Sequence, residues 1–166
     1  MGKLTGSTLA ADSFGLGDKG YIMITVKEML KEKTGDVLTI SPQDTVYKAL
    51  EVMAEKNLGA LVVVEGEKVV GLFSERDYAR NIVLKGKSSK DTLVKDLMNA
   101  NPCYVRPDQT LNDCMALITE KRTRHLPVLD GKKLIGIVSI GDVVKQYIVD
   151  KEFTIKQLEN YISGSM

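Results

Sequence analysis

Apolar positions recur along this chain in one order, twice. A stripe at Val46, Ala49, Leu50 and Met53 has the i, i+3, i+4, i+7 spacing of a core-facing helix, and its counterpart lies at Leu111, Cys114, Met115 and Ile118. Each stripe leads into two short runs rich in β-branched residues: Ala60–Val64 then Val69–Phe73, and His125–Leu129 then Leu134–Val138. The polar turns Glu65-Gly66-Glu67-Lys68 and Asp130-Gly131-Lys132-Lys133 between them predict hairpins. Upstream of each stripe the pattern predicts a short amphipathic helix (about 25–33 and 93–99) and a short strand (37–40 and 103–105). A Pro-containing turn follows, with Asp44 or Asp108 near the next helix start. Closing helices are predicted from Ser74 and Ser139, and Asp150–Ile162 reads as a further, partly amphipathic helix.

The recurrence is a duplication. Ser41–Asp77 falls on Arg106–Asp142 without a gap, at an offset of 65 residues, with 11 identities in 37 positions. Val26–Leu30 resembles Val94–Met98 at an offset of 68, so the first copy carries three extra residues before Pro42. The organisation that follows is a leader at 1–20, repeats at 22–85 and 90–150, and a helical tail at 151–166. One copy of about 60 residues buries too little apolar surface to stand comfortably alone. Two copies packed sheet to sheet would share a core and leave two related clefts between them.

Composition narrows the function. The 166 residues are 43% hydrophobic and 27% charged, as in ordinary globular domains. Lys and Arg number 23 against 22 Asp and Glu, a formal charge of +1, and aromatics are 5% with no Trp. Neither the charge nor the aromatic content suits a nucleic-acid surface. No apolar run approaches the roughly 18–20 residues that span a bilayer. Cys103 and Cys114 lack C-x-x-C spacing, and with the single His125 they cannot supply four zinc ligands, which points to a reducing, cytoplasmic setting and no metal. The leader holds five glycines and no secretory apolar region, and reads as flexible or as an expression remnant. Its Gly15–Gly20 matches G-x-G-x-x-G but follows no strand pattern, so the match is read as chance.

Chemistry concentrates after each second hairpin strand, where both copies spell Gly-φ-φ-Ser-x-x-Asp: Gly71–Asp77 and Gly136–Asp142. One reading is a capping box, with Ser capping a helix and Asp bonding back to the Ser amide. The other uses the same geometry for a ligand, with the Ser hydroxyl as a donor and the carboxylate accepting from both hydroxyls of a ribose. An enzyme reading has little to stand on. Gly136–Gly141 misses the G-x-S-x-G nucleophile elbow by one residue, only His125 could act as base, and no P-loop or H-E-x-x-H is present.

The βαββα repeat, the strand ending Leu126-Pro127-Val128 and the doubled Gly-φ-φ-Ser-x-x-Asp resemble tandem CBS domain proteins, the Bateman module in its small stand-alone form, over about residues 22–150. The resemblance implies an α+β fold of two packed repeats with pseudo-twofold symmetry and no catalysis. It implies regulatory binding of an adenosine ligand (AMP, ADP, ATP, S-adenosylmethionine or NAD(H)), signalling to an unidentified protein effector, and homodimerisation. Carried over residue by residue, it assigns Ser74, Glu75, Arg76, Asp77, Cys103, Tyr104, Val105, Arg124 and His125 to one cleft, A. It assigns Thr39, Ile40, Ala49, Gly59, Ala60, Ser139, Ile140, Gly141 and Asp142 to the other, B. Arg76 and Arg124 favour phosphate in cleft A although Glu75 opposes them, whereas Gly59, Ala60 and Gly141 predict a roomier, less charged cleft B. Val62 departs from the family pattern where the second copy has Pro127. A dimerisation scaffold with non-binding clefts is the alternative, because capping alone explains both Ser–Asp pairs.

Overall fold

The computed structural model describes residues 23–164, so the leader and its glycine match lie outside the described residues. The β-branched runs pair as their alternation requires. β1 (Thr39–Ile40) lies parallel to β2 (Ala60–Glu65), which pairs antiparallel with β3 (Lys68–Ser74). β4 (His125–Asp130) and β5 (Lys133–Ser139) form the second hairpin. Gly66 and Gly131 open the two turns at φ 63° and 61°, a left-handed backbone that costs glycine nothing. Both ladders slip register at matched places, Val63/Val64 and Val128/Leu129.

The strand expected at 103–105 is reduced to one bridge, Val105 to Val128. Pro127 supplies the reason. It stands where Val62 stands in the first sheet, its carbonyl accepts from the Val105 amide at 3.0 Å, and it has no N–H to carry the ladder back toward Cys103.

Helices follow their caps. α1 (Val26–Lys31) starts from a Thr25–Glu28 capping box. α2 (Val46–Lys56) and α4 (Leu111–Lys121) start from Thr45 and Thr110. The helix expected at 93–99 is only a 3-10 turn, Val94–Asp96, because Leu93 has no side chain able to cap it. α3 (Glu75–Tyr78) runs into a π-helical turn, Ala79–Val83. The two helices expected after Ser139 are one, α5 (Ile140–Ile162), since no Gly or Pro interrupts residues 142–163.

The opening segments are exchanged between the repeats. α1 packs in the core of the second copy, with Val26 and Met29 among Leu111, Cys114, Leu126 and Val138. Val94 and Leu97 pack in the core of the first, among Val46, Met53, Leu61 and Phe73. Backbone bonds fix both exchanges at equivalent places: Val26 N to Gln109 O and Val94 N to Asp44 O. A third apolar layer, Ala60, Val62 and Leu72 against Leu134 and Ile137, joins the two sheets face to face. The expected architecture is thus present, with each copy covered by the segment that precedes the other.

Candidate functional site

β3 ends at Ser74, and the chain turns there into α3. The Ser74 amide and hydroxyl both donate to Asp77 Oδ2 at 2.9 Å, and Asp77 N donates back to Ser74 Oγ at 3.4 Å. The capping box is therefore real. It uses one carboxylate oxygen and leaves Oδ1 with no partner among the described residues. Asp77 also lines a cleft of about 410 Å³ whose walls come from both repeats: residues 74–77 and Arg80 on one side, residues 121–125 on the other.

Charge in this cleft is one-sided. Arg76, Arg80, Lys121, Arg122 and Arg124 line it against the carboxylates of Glu75 and Asp77. Arg76 crosses the gap, its Nη1 donating to the Arg122 carbonyl at 2.9 Å. Arg122 sits at φ 51°, a left-handed conformation that the matched Asn57 (φ 53°) tolerates better. Such strain collects at binding sites, as do π-helical turns like the one that carries Arg80. His125 is half-buried. Burial is the main cause of a pKa below the ordinary histidine value, reinforced by Lys33 and Arg124 and opposed by Asp142. Its ring lies against Gly59, where a Cβ would meet Nε2 at 3.2 Å.

Of the residues expected in cleft A, Ser74, Glu75, Arg76, Asp77, Arg124 and His125 do come together. Cys103, Tyr104 and Val105 do not. Val105 is fully buried in the second core, Cys103 packs on that core, and Tyr104 lines a larger depression of about 1380 Å³ at the hairpin-turn end. Sequence reasoning missed Arg80, Lys121 and Arg122. The one signal available was their charge on either side of the matched loop positions.

Cleft B departs further from expectation. Ile40 and Ala49 are buried in the first core, Ala60 is in the sheet-to-sheet layer, and Thr39 lines the hairpin-turn depression beside Tyr104. Gly59 lines cleft A, where the His125 ring lies against it. Only Ser139, Ile140, Gly141 and Asp142 remain at the second corner. There Ser139 N donates to Asp142 Oδ2 at 2.8 Å, and Lys33 Nζ reaches the same oxygen at 2.8 Å. Burial would raise the Asp142 pKa, but the bonds from Lys33 and Ser139 outweigh it and leave the carboxyl below its ordinary value.

Cys103 and Cys114 are unpaired, and burial with Asp113 nearby pushes the Cys114 thiol up to about 11, which makes it a core residue rather than a nucleophile. Among the described residues, no group of three or more His, Cys, Asp or Glu side chains could hold a metal ion, and no helix is long and apolar enough to cross a membrane.

Comparison with known proteins agrees with this architecture. The CBS domain family model matches residues 24–84 and 94–149. The Arabidopsis thaliana protein "CBS domain-containing protein CBSX3, mitochondrial" is 38% identical over 156 residues, covering 89% of this chain and 76% of its own length. A solved protein with CBS domains from Burkholderia ambifaria MC40-6 is 52% identical with a TM-score of 0.74, covering 76% of this chain and 95% of its own. CBSX2, solved in complex with AMP, is 31% identical with a TM-score of 0.64, covering 77% of this chain and 98% of its own.

Proposed function

The chain belongs to the CBS domain family, and from that premise we propose that it is a non-enzymatic regulatory module whose cleft A binds an adenosine nucleotide: AMP, ADP, ATP or NAD(H). One observation carries the reading. The Ser74–Asp77 corner of one repeat faces the cationic segment 121–125 of the other across a single cleft. A ribose diol would bond to Asp77, whose Oδ1 has no partner among the described residues, while phosphates meet Arg76, Arg80 and Arg124. The AMP complex of CBSX2 supports the ligand class.

A ligand spanning the seam touches both repeats, so it binds one relative arrangement of them better than another and shifts that equilibrium. The output passes to a protein effector. A melting series with AMP, ATP, NADH and S-adenosylmethionine tests the reading. A ligand that binds only the folded chain stabilises it by about 2.7 kcal/mol at a hundredfold excess over Kd. A flat response to all four supports the scaffold instead, which the complete capping boxes at Ser74 and Ser139 favour.

Homodimerisation belongs to the same proposal. Ile140, Val144, Ile148, Ile155, Leu158 and Ile162 form an exposed apolar stripe along α5. Light scattering should report a dimer that Val144→Glu with Ile148→Glu converts to a monomer. Two unpaired cysteines suit the reducing cytoplasm, where we place the module.

A further inference from the structure

Four of the chain's five arginines line cleft A: Arg76, Arg80, Arg122 and Arg124. The fifth, Arg106, pairs with Asp108 at 3.2 Å, and Lys121 in the cleft pairs with Glu120 at 3.4 Å. None of the four cleft arginines is in an ion pair among the described residues. The fold does not require them there. Under the 65-residue offset Arg76, Arg122 and Arg124 answer to Gly141, Asn57 and Gly59, and Arg80 to Lys145. The second corner forms the same cap without a single arginine. Arg122 even stands at φ 51°, where the matched Asn57 is less strained. Arginine differs from lysine in the respect that matters for phosphate: its planar fork donates two parallel bonds to paired oxygens. Arg76 is already oriented, since its Nη1 donates to the Arg122 carbonyl and leaves Nε and Nη2 uncommitted among the described residues. Arg80 stands four residues on, in the π-helical turn that continues α3, so the two arginines share one face about a turn apart. Against these cations the lining offers two carboxylates, Glu75 and Asp77, and Asp77 commits Oδ2 to the Ser74 cap.

We propose that cleft A counts phosphates: it takes a metal-free nucleoside triphosphate in preference to the monophosphate or to the Mg2+ complex, and Arg80 and Arg122 tell them apart. The inference deepens the nucleotide reading of this cleft and rests on it. With a ribose diol on Asp77, Arg76 and Arg124 suffice for one phosphate. A monophosphate then leaves Arg80 and Arg122 as uncompensated like charges in the same cleft. Each further phosphate adds negative charge and oxygens that match a guanidinium fork. Mg2+ works against this, because it takes up the same oxygens and cancels the charge that draws the arginines. The cleft has little to offer the metal in return, since the ribose needs one of its two carboxylates.

Calorimetric titration of the full chain with adenosine, AMP, ADP, ATP and inorganic tripolyphosphate, each with and without Mg2+, tests this. Affinity should rise about fivefold with each phosphate from AMP to ATP, the scale of one exposed ion pair, with adenosine weakest. Added salt should shrink the differences, and Mg2+ should return ATP to the level of AMP. Arg80→Gln and Arg122→Asn should each weaken ATP binding about fivefold and AMP binding less than about twofold. Arg106→Gln, outside the cleft, should leave the series unchanged. Tripolyphosphate should bind more weakly than ATP, because it lacks the ribose. Equal affinities for AMP and ATP, or a Mg2+ complex as tight as free ATP, overturn the phosphate counting and leave the nucleotide reading standing. Equal losses of AMP and ATP in the two cleft variants do the same. Tripolyphosphate as tight as ATP overturns the nucleotide reading, and binding of none of these ligands overturns both.

Discussion

The two Ser–Asp corners share a sequence pattern and a capping box, yet they do not present the same chemistry. Asp77 opens onto a cleft walled by arginines from the opposite repeat, and no cation is bonded to it among the described residues. Asp142 is held by Lys33, and the ring of His125 occupies the space beside Gly59. Duplication supplied two equivalent frames. At matched places the two copies differ, Arg76 against Gly141 and His125 against Ala60, and both Arg76 and His125 line the cleft at Asp77. Local motif identity fixes the turn and the cap, but what a carboxylate can bind depends on what crosses the seam to meet it.

The sharpest way to break that contrast is to remove each acid in turn. Asp77→Ala should lower AMP affinity about 10- to 100-fold, the loss expected for hydrogen bonds to a charged group. Asp142→Ala should change it little, and equal losses by calorimetry would remove the asymmetry.

Next in size is a test of how each exchanged segment is held. A Cβ at Gly71 would stand 2.7 Å from Met98 Sδ and 2.9 Å from the Asn99 carbonyl, whereas at Gly136 it would meet only the Leu30 side chain, at 2.6 Å from Cδ2. A methyl can turn aside; a carbonyl in a paired backbone cannot without breaking its bonds. Gly71→Ala should therefore cost about 1–3 kcal/mol in urea denaturation, and Gly136→Ala less.

Arg122→Asn recreates Asn57 of the first copy. It should raise stability by about 1 kcal/mol through relief of the left-handed backbone, while weakening nucleotide binding. A gain in both would show that the Arg122 side chain has no part in the cleft.

The smallest effect is in pH. Burial holds the folded pKa of His125 below the ordinary histidine value, so the unfolded chain takes up the proton more readily. The stability contribution is complete above the unfolded pKa and is lost as pH falls through it toward the folded value. His125→Gln should flatten the stability profile in that window. Asp142, also depressed, acts in the lower carboxylate range. Because His125 is the only histidine, its proton resonance reports both corners, and a bound phosphate or the Lys33→Met change should move its pKa upward.

Much of the fold was legible in the sequence because periodicity and turn chemistry are local. The hairpins at Gly66 and Gly131 and the stripes from Val46 and Leu111 needed only spacing and a glycine. The exchange of opening segments was not legible: an amphipathic pattern at 25–33 states which face is apolar and nothing about which core will cover it. The resemblance assigned Ile40, Ala49 and Val105 to the clefts, whereas the structure buries all three in the cores of their own repeats. Arg76, Asp77 and Asp142 lie within the doubled motif and Arg124 was assigned by the resemblance, whereas Arg80, Lys121 and Arg122 belong to neither. Lys33 was missed because it meets Asp142 across 109 residues, with no pattern at either end to announce it.

The crossed placement of α1 and residues 94–98 bears on what half of this chain could do alone. A single repeat cut free would leave one side of its sheet bare, and its own leading segment would have nothing to roof. Two such halves could each shelter the other, so the smallest self-sufficient form of the architecture is a pair, and the connection near residues 85–93 is a tether between partners that would have to find each other anyway.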